Sequence, residues 1–462
     1  MKFQKVITTG LTVVMLTAGL AGCGKKQGTA DGKITISIGD WPDETQTETL
    51  ETYNNLLEEF EKKYPNIKIT PDTYRYDTKT FTMKASAKQL PTMYIAYFTE
   101  LNKIIKAGHA ADITDIMDSY GMTEAINPKL LDLVKDDGGR IYGIPTSAYA
   151  KGLAINKEMF REAGLVNEDG SIMIPDTYSE MAEYAGKVKE KTGKAGFVMC
   201  TTDNCGGWNF LNIAWSFGVE FMKQNSDGKW EATFDTENAV AALQFVKDLK
   251  WKYNALPDNS VIDQQESHKL FGTNQAAMTF EGPSDDYSRK YGMEVSNLLE
   301  ARMPAGEYGR YAQMGGGIRM FAPDSTPEQI DACFKWLDFI GAGKEFDEVS
   351  VTNKEKNYQT ILSEGGMVLD REAFPVWINE ERVAKEREIA AKYTNIDPKD
   401  FESYYNFEDV ILKPEEPVAC QQLYSVLDGC IQAVITDEKA DCKEVIKNAC
   451  HDFQVNHLDK ES

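Results

Sequence analysis

The chain has 462 residues, 73 acidic against 50 basic side chains, a net charge of −23 and 42 % hydrophobic residues. That length predicts two or three domains, and an apolar and aromatic content of this size predicts packed cores rather than a disordered chain. The excess of acid excludes nucleic acid as a partner, since phosphate binding needs basic surface, and argues against wide contact with anionic lipid.

The N-terminus reads in three parts. Lys2 and Lys5 form a short basic start, Val6 to Leu20 is uncharged and mostly apolar, and Leu20-Ala21-Gly22-Cys23 follows. Basic, apolar, small is the order of a secretory signal, and the apolar part is shorter than the roughly 20 residues of a membrane span. A Cys directly after Leu-Ala-Gly resembles the bacterial lipobox, whose thiol is acylated. The resemblance makes residues 1–22 a signal peptide, Cys23 a lipid anchor and residues 23–33 a flexible tether. It places the body on the extracellular face of the bacterial cell membrane, held there because each buried CH₂ contributes about 0.8 kcal/mol. The alternative is a plain signal peptide with a chance Cys.

The body opens on Lys33 to Ile38, which alternates apolar and polar as a strand does. Leu50 to Tyr64 carries apolar residues at 50, 53, 56, 57, 60 and 64, a helical spacing, and Pro65-Asn66 stops it. Residues 67–70 form the next strand, so the three make a βαβ unit. Residues 101–107 read as a helix ended by Gly108, and 141–145 as a strand. Helices follow at 178–191, 236–253 and 326–341, the last with Pro327 just inside its start. The fold class is α/β. Residues 375–392 are rich in Glu, Lys and Arg and predict a solvated helix; with 397–417 they form a polar, Tyr-bearing stretch, either a surface insertion or one wall of a cleft.

Cys23 aside, seven Cys remain: 200, 205, 333, 420, 430, 442 and 450. An exported chain can form disulfides, and an odd number leaves at least one thiol free. No Cys-x-x-Cys occurs and the four His are scattered, so no metal site is expected. Asn225 to Lys229 is too short for a calcium loop and reads as a tight turn.

Four segments in order carry a resemblance. They are Gly139-Arg-Ile-Tyr-Gly-Ile-Pro145 with Gly152-Leu-Ala-Ile-Asn-Lys-Glu-Met-Phe160; Pro175-Asp-Thr-Tyr-Ser-Glu-Met181; Phe271-Gly-Thr-Asn-Gln-Ala-Ala-Met-Thr-Phe-Glu-Gly-Pro283; and Met303-Pro-Ala-Gly-Glu307 running on to Gly315-Gly-Gly317. Together they resemble the family 1 extracellular solute-binding proteins, the group that includes the maltodextrin-binding protein, over about residues 34–458. The resemblance implies a two-lobed, periplasmic-binding-protein-like fold (type II) with a hinge and a ligand cleft between the lobes. It puts residues 34–146 and 284–340 in the first lobe, and 147–283 and 341–458 in the second, with a polar insertion at about 370–417. It implies a monomer that captures a small molecule, an oligosaccharide, and delivers it to the permease subunits of an ABC importer, with no cofactor. A sensor role and a non-sugar ligand are the alternatives.

A sugar ring packs its C–H face on an aromatic ring and hydrogen-bonds its hydroxyls to carboxylates and amides, so its site pairs Trp or Tyr with acids on loops after strands. The candidates on that ground are Trp41 and Asp43 after the first strand, Tyr97 after residues 93–96, Ser147 and Tyr149 after the Ile-Pro crossing, and Trp208 and Asn209 on a Gly-rich turn. Glu281 before Gly-Pro and Tyr424 near the C-terminus complete the set. Where relatives that bind maltodextrin stack a Trp after Gly-Pro, this chain has Ser284, and only Tyr424 stands for their later Trp-Tyr pair. Arg319 after the three glycines and Trp377 are outer candidates, Arg319 with a structural role preferred. An enzyme is not expected: no Gly-x-Ser-x-Gly, His-Glu-x-x-His or P-loop pattern occurs, although 73 acids leave room for a glycosidase pair.

Overall fold

A computed structural model describes residues 32–460, apart from Thr45, Lys79 and Asp137; the expected signal peptide, Cys23 and most of the expected tether lie outside the described residues. Two bodies, each with its own core, share the chain.

The first is built on the expected βαβ unit. β1 (Ile34–Ile38) pairs in parallel with β2 (Ile67–Pro71), Ile34 opposite Ile67 through Ile38 opposite Pro71. The helix Thr47–Lys63 between them lays Leu50, Tyr53, Leu56, Leu57 and Phe60 on the core, the spacing the sequence showed. β3 (Met93–Tyr97) lies on the other side of β1. The helix Leu101–Lys106 ends before Gly108, whose φ of 68° suits a residue without Cβ.

Two long strands leave this body. β4 (Gly143–Ala150) begins at Ile144 in the first core and ends at Ala150 in the second, and β5 (Gly152–Asn156) follows after a single residue, Lys151. The short hairpin β6 (Met222–Gln224) and β7 (Trp230–Ala232) encloses the expected tight turn, with Gly228 at φ 84°. β5 is buried along its whole length and takes a neighbour on each side, β8 (Met278–Glu281) and β9 (Leu298–Arg302). β10 (Arg310–Phe321) then returns: Ala312 belongs to the second core, Ile318 to the first, and β4 runs antiparallel beside it. β11 (Val410–Lys413) pairs in parallel with Arg310–Gln313 of β10.

The helices Tyr178–Thr192, Glu237–Trp251 and Pro327–Phe339 stand where their signals put them. The first and last start on capping boxes, Thr177 with Glu180 and Thr326 with Gln329, each satisfying two orphan backbone donors.

Three expectations about organisation change. Residues 284–312 do not join the first core: Tyr287, Met293 and Leu298 pack with Phe271, and Leu299, Ala301 and Met303 join the second core, because β9 supplies the partner that β5 needs. Nor does the whole of 341–458 belong to the second: Val376 and Trp377 are buried in the first core, while Met367 and Phe401 pack on the second. The polar stretch thus touches both bodies, and its helix, Glu380–Tyr393, is not simply solvated. Arg382 is buried, with its guanidinium 4.6 Å from the Trp377 ring and bonded to Glu386 at 3.2 Å.

Candidate functional site

The seam between the bodies is floored by three glycines. Gly317 of β10 sits opposite Tyr97 of β3 on one side and Ser147 of β4 on the other, and Gly315 sits opposite Tyr149. A Cβ on Gly315 would meet the Tyr149 hydroxyl at 2.5 Å, and one on Gly317 the Thr146 hydroxyl at 2.7 Å, so side chains here would close the floor over which these neighbours lie. Tyr97 is 49 % exposed, its ring against Tyr76, and Ser147 is exposed. Tyr76 is fixed in turn by a hydrogen bond from its hydroxyl to the buried Glu100, 2.9 Å.

On the second body the wall is Trp208, half-buried on the helix Cys205–Ser216. The Gly-rich segment is thus the first turn of a helix, not a loop. Gly206 and Gly207 serve close packing: a Cβ on Gly207 would lie 2.5 Å from Tyr424 Cα, and one on Gly206 2.8 Å from Thr201 Cα. Asp428 of the helix Cys420–Thr436 caps the start, accepting from Asn204 N and Gly207 N at 2.7 Å each, where anionic oxygen is favoured. A disulfide joins Cys200 to Cys205 just ahead of Trp208; the other five Cys among the described residues are free and buried.

The charges of this wall form one cluster. Lys151, the single residue between β4 and β5, is 1 % exposed; its Nζ lies 3.0 Å from Glu281 Oε1 and 3.3 Å from the centre of the Trp208 ring. Glu281 also meets His268 Nε2 at 3.2 Å. Burial alone would raise the Glu281 pKa, but Lys151 and His268 outweigh it and hold the carboxyl at about 2. Burial acts the other way on the Lys151 ammonium and lowers its pKa against the pull of Glu281, Glu300 and Glu415. Glu415, near the Trp208 indole and the Tyr424 hydroxyl, is pushed up to about 7 by burial, more than those hydrogen bonds lower it. Gln313 Nε2 reaches both Glu415 Oε1 (3.3 Å) and the Tyr424 hydroxyl (3.1 Å). Tyr149 closes the cluster: burial, then the nearby Glu281, Glu415 and Tyr97, raise its pKa.

Of the sequence candidates, Tyr97, Ser147, Tyr149 and Trp208 therefore meet along the seam, and Glu281 stands behind them, held by Lys151 rather than open to a ligand. Several others leave the set. Trp41 is 2 % exposed, stacked on Trp336 (5.7 Å) and edge-on to Tyr53 (5.2 Å), a core residue of the first body. Asn209 points away from the seam, its amide donating to Cys200 Sγ at 3.1 Å and to Cys205 O at 3.2 Å. Tyr424 is 2 % exposed and positions Gln313 and Glu415 instead of lining the surface. Asp43, by contrast, stays a candidate: its side chain is 42 % exposed, 3.8 Å from Arg75. Arg319 sits near Asp40 and Tyr53, with the structural role preferred for it, and Trp377 is core. Lys151, Gln313 and Glu415 were missed. A Lys directly between two apolar strands was the one signal available for Lys151; nothing local marks the other two.

Two bodies joined by paired crossing strands, with aromatic rings and carboxylates gathered at the crossing, define a two-lobed binding protein of the periplasmic type. Residues 43–342 match the family model described as bacterial extracellular solute-binding protein, and the chain belongs to that family. A binding protein of Brucella abortus (strain 2308) is 23 % identical over 332 residues, 70 % of this chain and 76 % of that one. Among solved structures, maltose-bound MalE3 of T. maritima superposes with a TM-score of 0.65 at 20 % identity, over 91 % of this chain and 99 % of that one. UgpB of Mycobacterium tuberculosis in complex with glycerophosphocholine reaches 0.68 at 16 % identity, over 93 % and 99 %. At such identities these likenesses establish the two-lobed fold. Among the described residues no helix is long and apolar enough to cross a membrane.

Proposed function

We propose that this chain is the lipid-anchored capture subunit of an ABC importer and that its ligand is a neutral carbohydrate, an oligosaccharide, held between the lobes. The observation that carries this reading is the placing of Tyr97, Ser147 and Tyr149 beside the glycines 315–317, with Glu415 near both Tyr149 and Trp208. Flat aromatic faces take the apolar side of a sugar ring, and hydroxyl and carboxylate groups take its hydroxyls. The maltose-bound relative supports the same ligand class.

The chain performs no bond chemistry in this role. Ligand bound to one lobe gains contacts with the other when the lobes swing together, and it favours the closed form only by that difference in affinity. The closed form docks on the permease, and ATP is hydrolysed in other subunits. Cys23, with its acyl chains, keeps the body near the permease.

The test is a thermal-shift screen of residues 24–462 against neutral oligosaccharides, with amino acids, peptides and polyols as controls. A ligand at 100 times its Kd adds about 2.7 kcal/mol of stability. A shift with one glycan class and not its monosaccharide is the expected result; a shift with a peptide or polyol alone would overturn the carbohydrate assignment.

A further inference from the structure

The Trp208 ring already has a cation on it. Lys151 Nζ stands 3.3 Å from the ring centre and 3.0 Å from Glu281 Oε1, and its side chain is fully buried. Two more carboxyl groups, Glu300 and Glu415, are close enough to act on the same ammonium, and burial raises the pKa of each, that of Glu300 well above its ordinary value. Glu300 is completely buried and neither of its oxygens has a hydrogen-bond partner. An enclosed aromatic face beside an ionised carboxylate, here Glu281, is the chemistry that recognises a ligand's ammonium group, by cation–π attraction and charge. Here the chain supplies that ammonium itself. The backbone at Lys151 is held by a hydrogen bond from its N–H to Gln313 O of β10, 2.9 Å, in the one-residue step between β4 and β5.

We propose that Lys151 is a specificity-determining residue of the cleft: its ammonium fills an aromatic and carboxylate cage that a ligand's cationic group would otherwise enter, and it leaves Trp208 one face for an uncharged ring. The glycan half of this statement rests on the function proposed above; the cage half stands without it. The same fold carries glycerophosphocholine, which bears a quaternary ammonium, in UgpB. In this chain the Trp208 cage is closed to such a group.

The test uses residues 24–462 with Lys151→Ala and Lys151→Met, probed with methylammonium, choline and, as an ionic-strength control, sodium chloride. Wild type gains no thermal stability from either amine beyond the salt control. Lys151→Ala, with the cage emptied, gains stability from millimolar methylammonium. Its affinity for the glycan found in the screen falls at least tenfold and recovers severalfold when methylammonium is added. Lys151→Met loses glycan affinity too but is not rescued, because its stem fills the space without charge. A folded Lys151→Ala that binds glycan as wild type does, or that responds to amines no more than wild type, overturns the proposal. If Lys151→Ala does not fold, Lys151→Met decides: unchanged glycan affinity overturns it and a tenfold loss supports it. If wild type binds no glycan at all, the carbohydrate reading fails, while the amine titration of Lys151→Ala still decides whether the cage exists.

Discussion

Trp41 and Trp208 look alike in the sequence: each lies in a loop-like stretch with polar neighbours. Their surroundings in the fold are opposite. Trp41 meets Trp336, Tyr53 and the buried face of the helix Thr47–Lys63, so its ring is covered by other apolar rings. Trp208 meets Lys151, Glu415 and, behind them, Glu281, so it stays half-buried at the edge of a charged cluster. What separates a core tryptophan from a binding one is thus the chemistry of the elements folded against it, which arrives from distant parts of the chain. Burying a ring among rings is favourable; a ring beside a charged cluster is held by cation–π attraction as well, as Trp208 is by Lys151.

The sharpest way to break this contrast is to truncate both residues. Trp41→Ala removes a large, fully packed side chain and should cost about 3–5 kcal/mol of stability in denaturant unfolding. Any glycan affinity should survive in the fraction that folds. Trp208→Ala should do the reverse: a small stability change and a ligand affinity weaker by about 1–3 kcal/mol, roughly 5–150-fold in Kd. The disulfide sharpens the comparison further, since it braces the turn that presents Trp208 and has no counterpart beside Trp41. Replacing Cys200 and Cys205 with Ser reopens a short loop and should lower stability by at most about 2 kcal/mol on the loop-entropy account. Calorimetric melting checks this.

The most gradual expected effect is a pH slope. Glu415, raised from 4.5 to about 7, keeps its proton in the folded chain where the unfolded chain has lost it, so it makes stability fall as pH rises between those values. Glu281 has the opposite sign: held at about 2, it contributes stability in full above 4.5 and loses it as pH falls toward 2. Glu415→Gln should flatten the decline in Tm between about pH 5 and 7 and leave the acid limb in place. An unchanged neutral limb would remove Glu415 from the cluster.

The parts of the fold that were legible in the sequence are those whose signals are local. Apolar spacing marked the helix Thr47–Lys63, alternation marked β1, and Pro327 marked the start of the helix Pro327–Phe339. The floor of the cleft was not legible, because register alone brings Gly317 beside both Tyr97 and Ser147. The glycines at 206 and 207 misled in a physical way: they suggest freedom to turn, but here they permit two helices to touch. The lobe boundary moved from 283 to β10 because the partner of a buried central strand cannot be known until the sheet is assembled. Lys151 carries no local signal beyond its place between two apolar strands, and only the assembled cluster explains its burial.

The central claim is that the ligand lies against Trp208 and not near Trp41. Titration calorimetry of residues 24–462 with the stabilising glycan, run on wild type, Trp208→Ala and the conservative Trp41→Phe, tests it most directly. The account predicts a Kd weakened about 5–150-fold by Trp208→Ala and unchanged by Trp41→Phe. Wild-type affinity in Trp208→Ala, or a loss confined to Trp41→Phe, would contradict it.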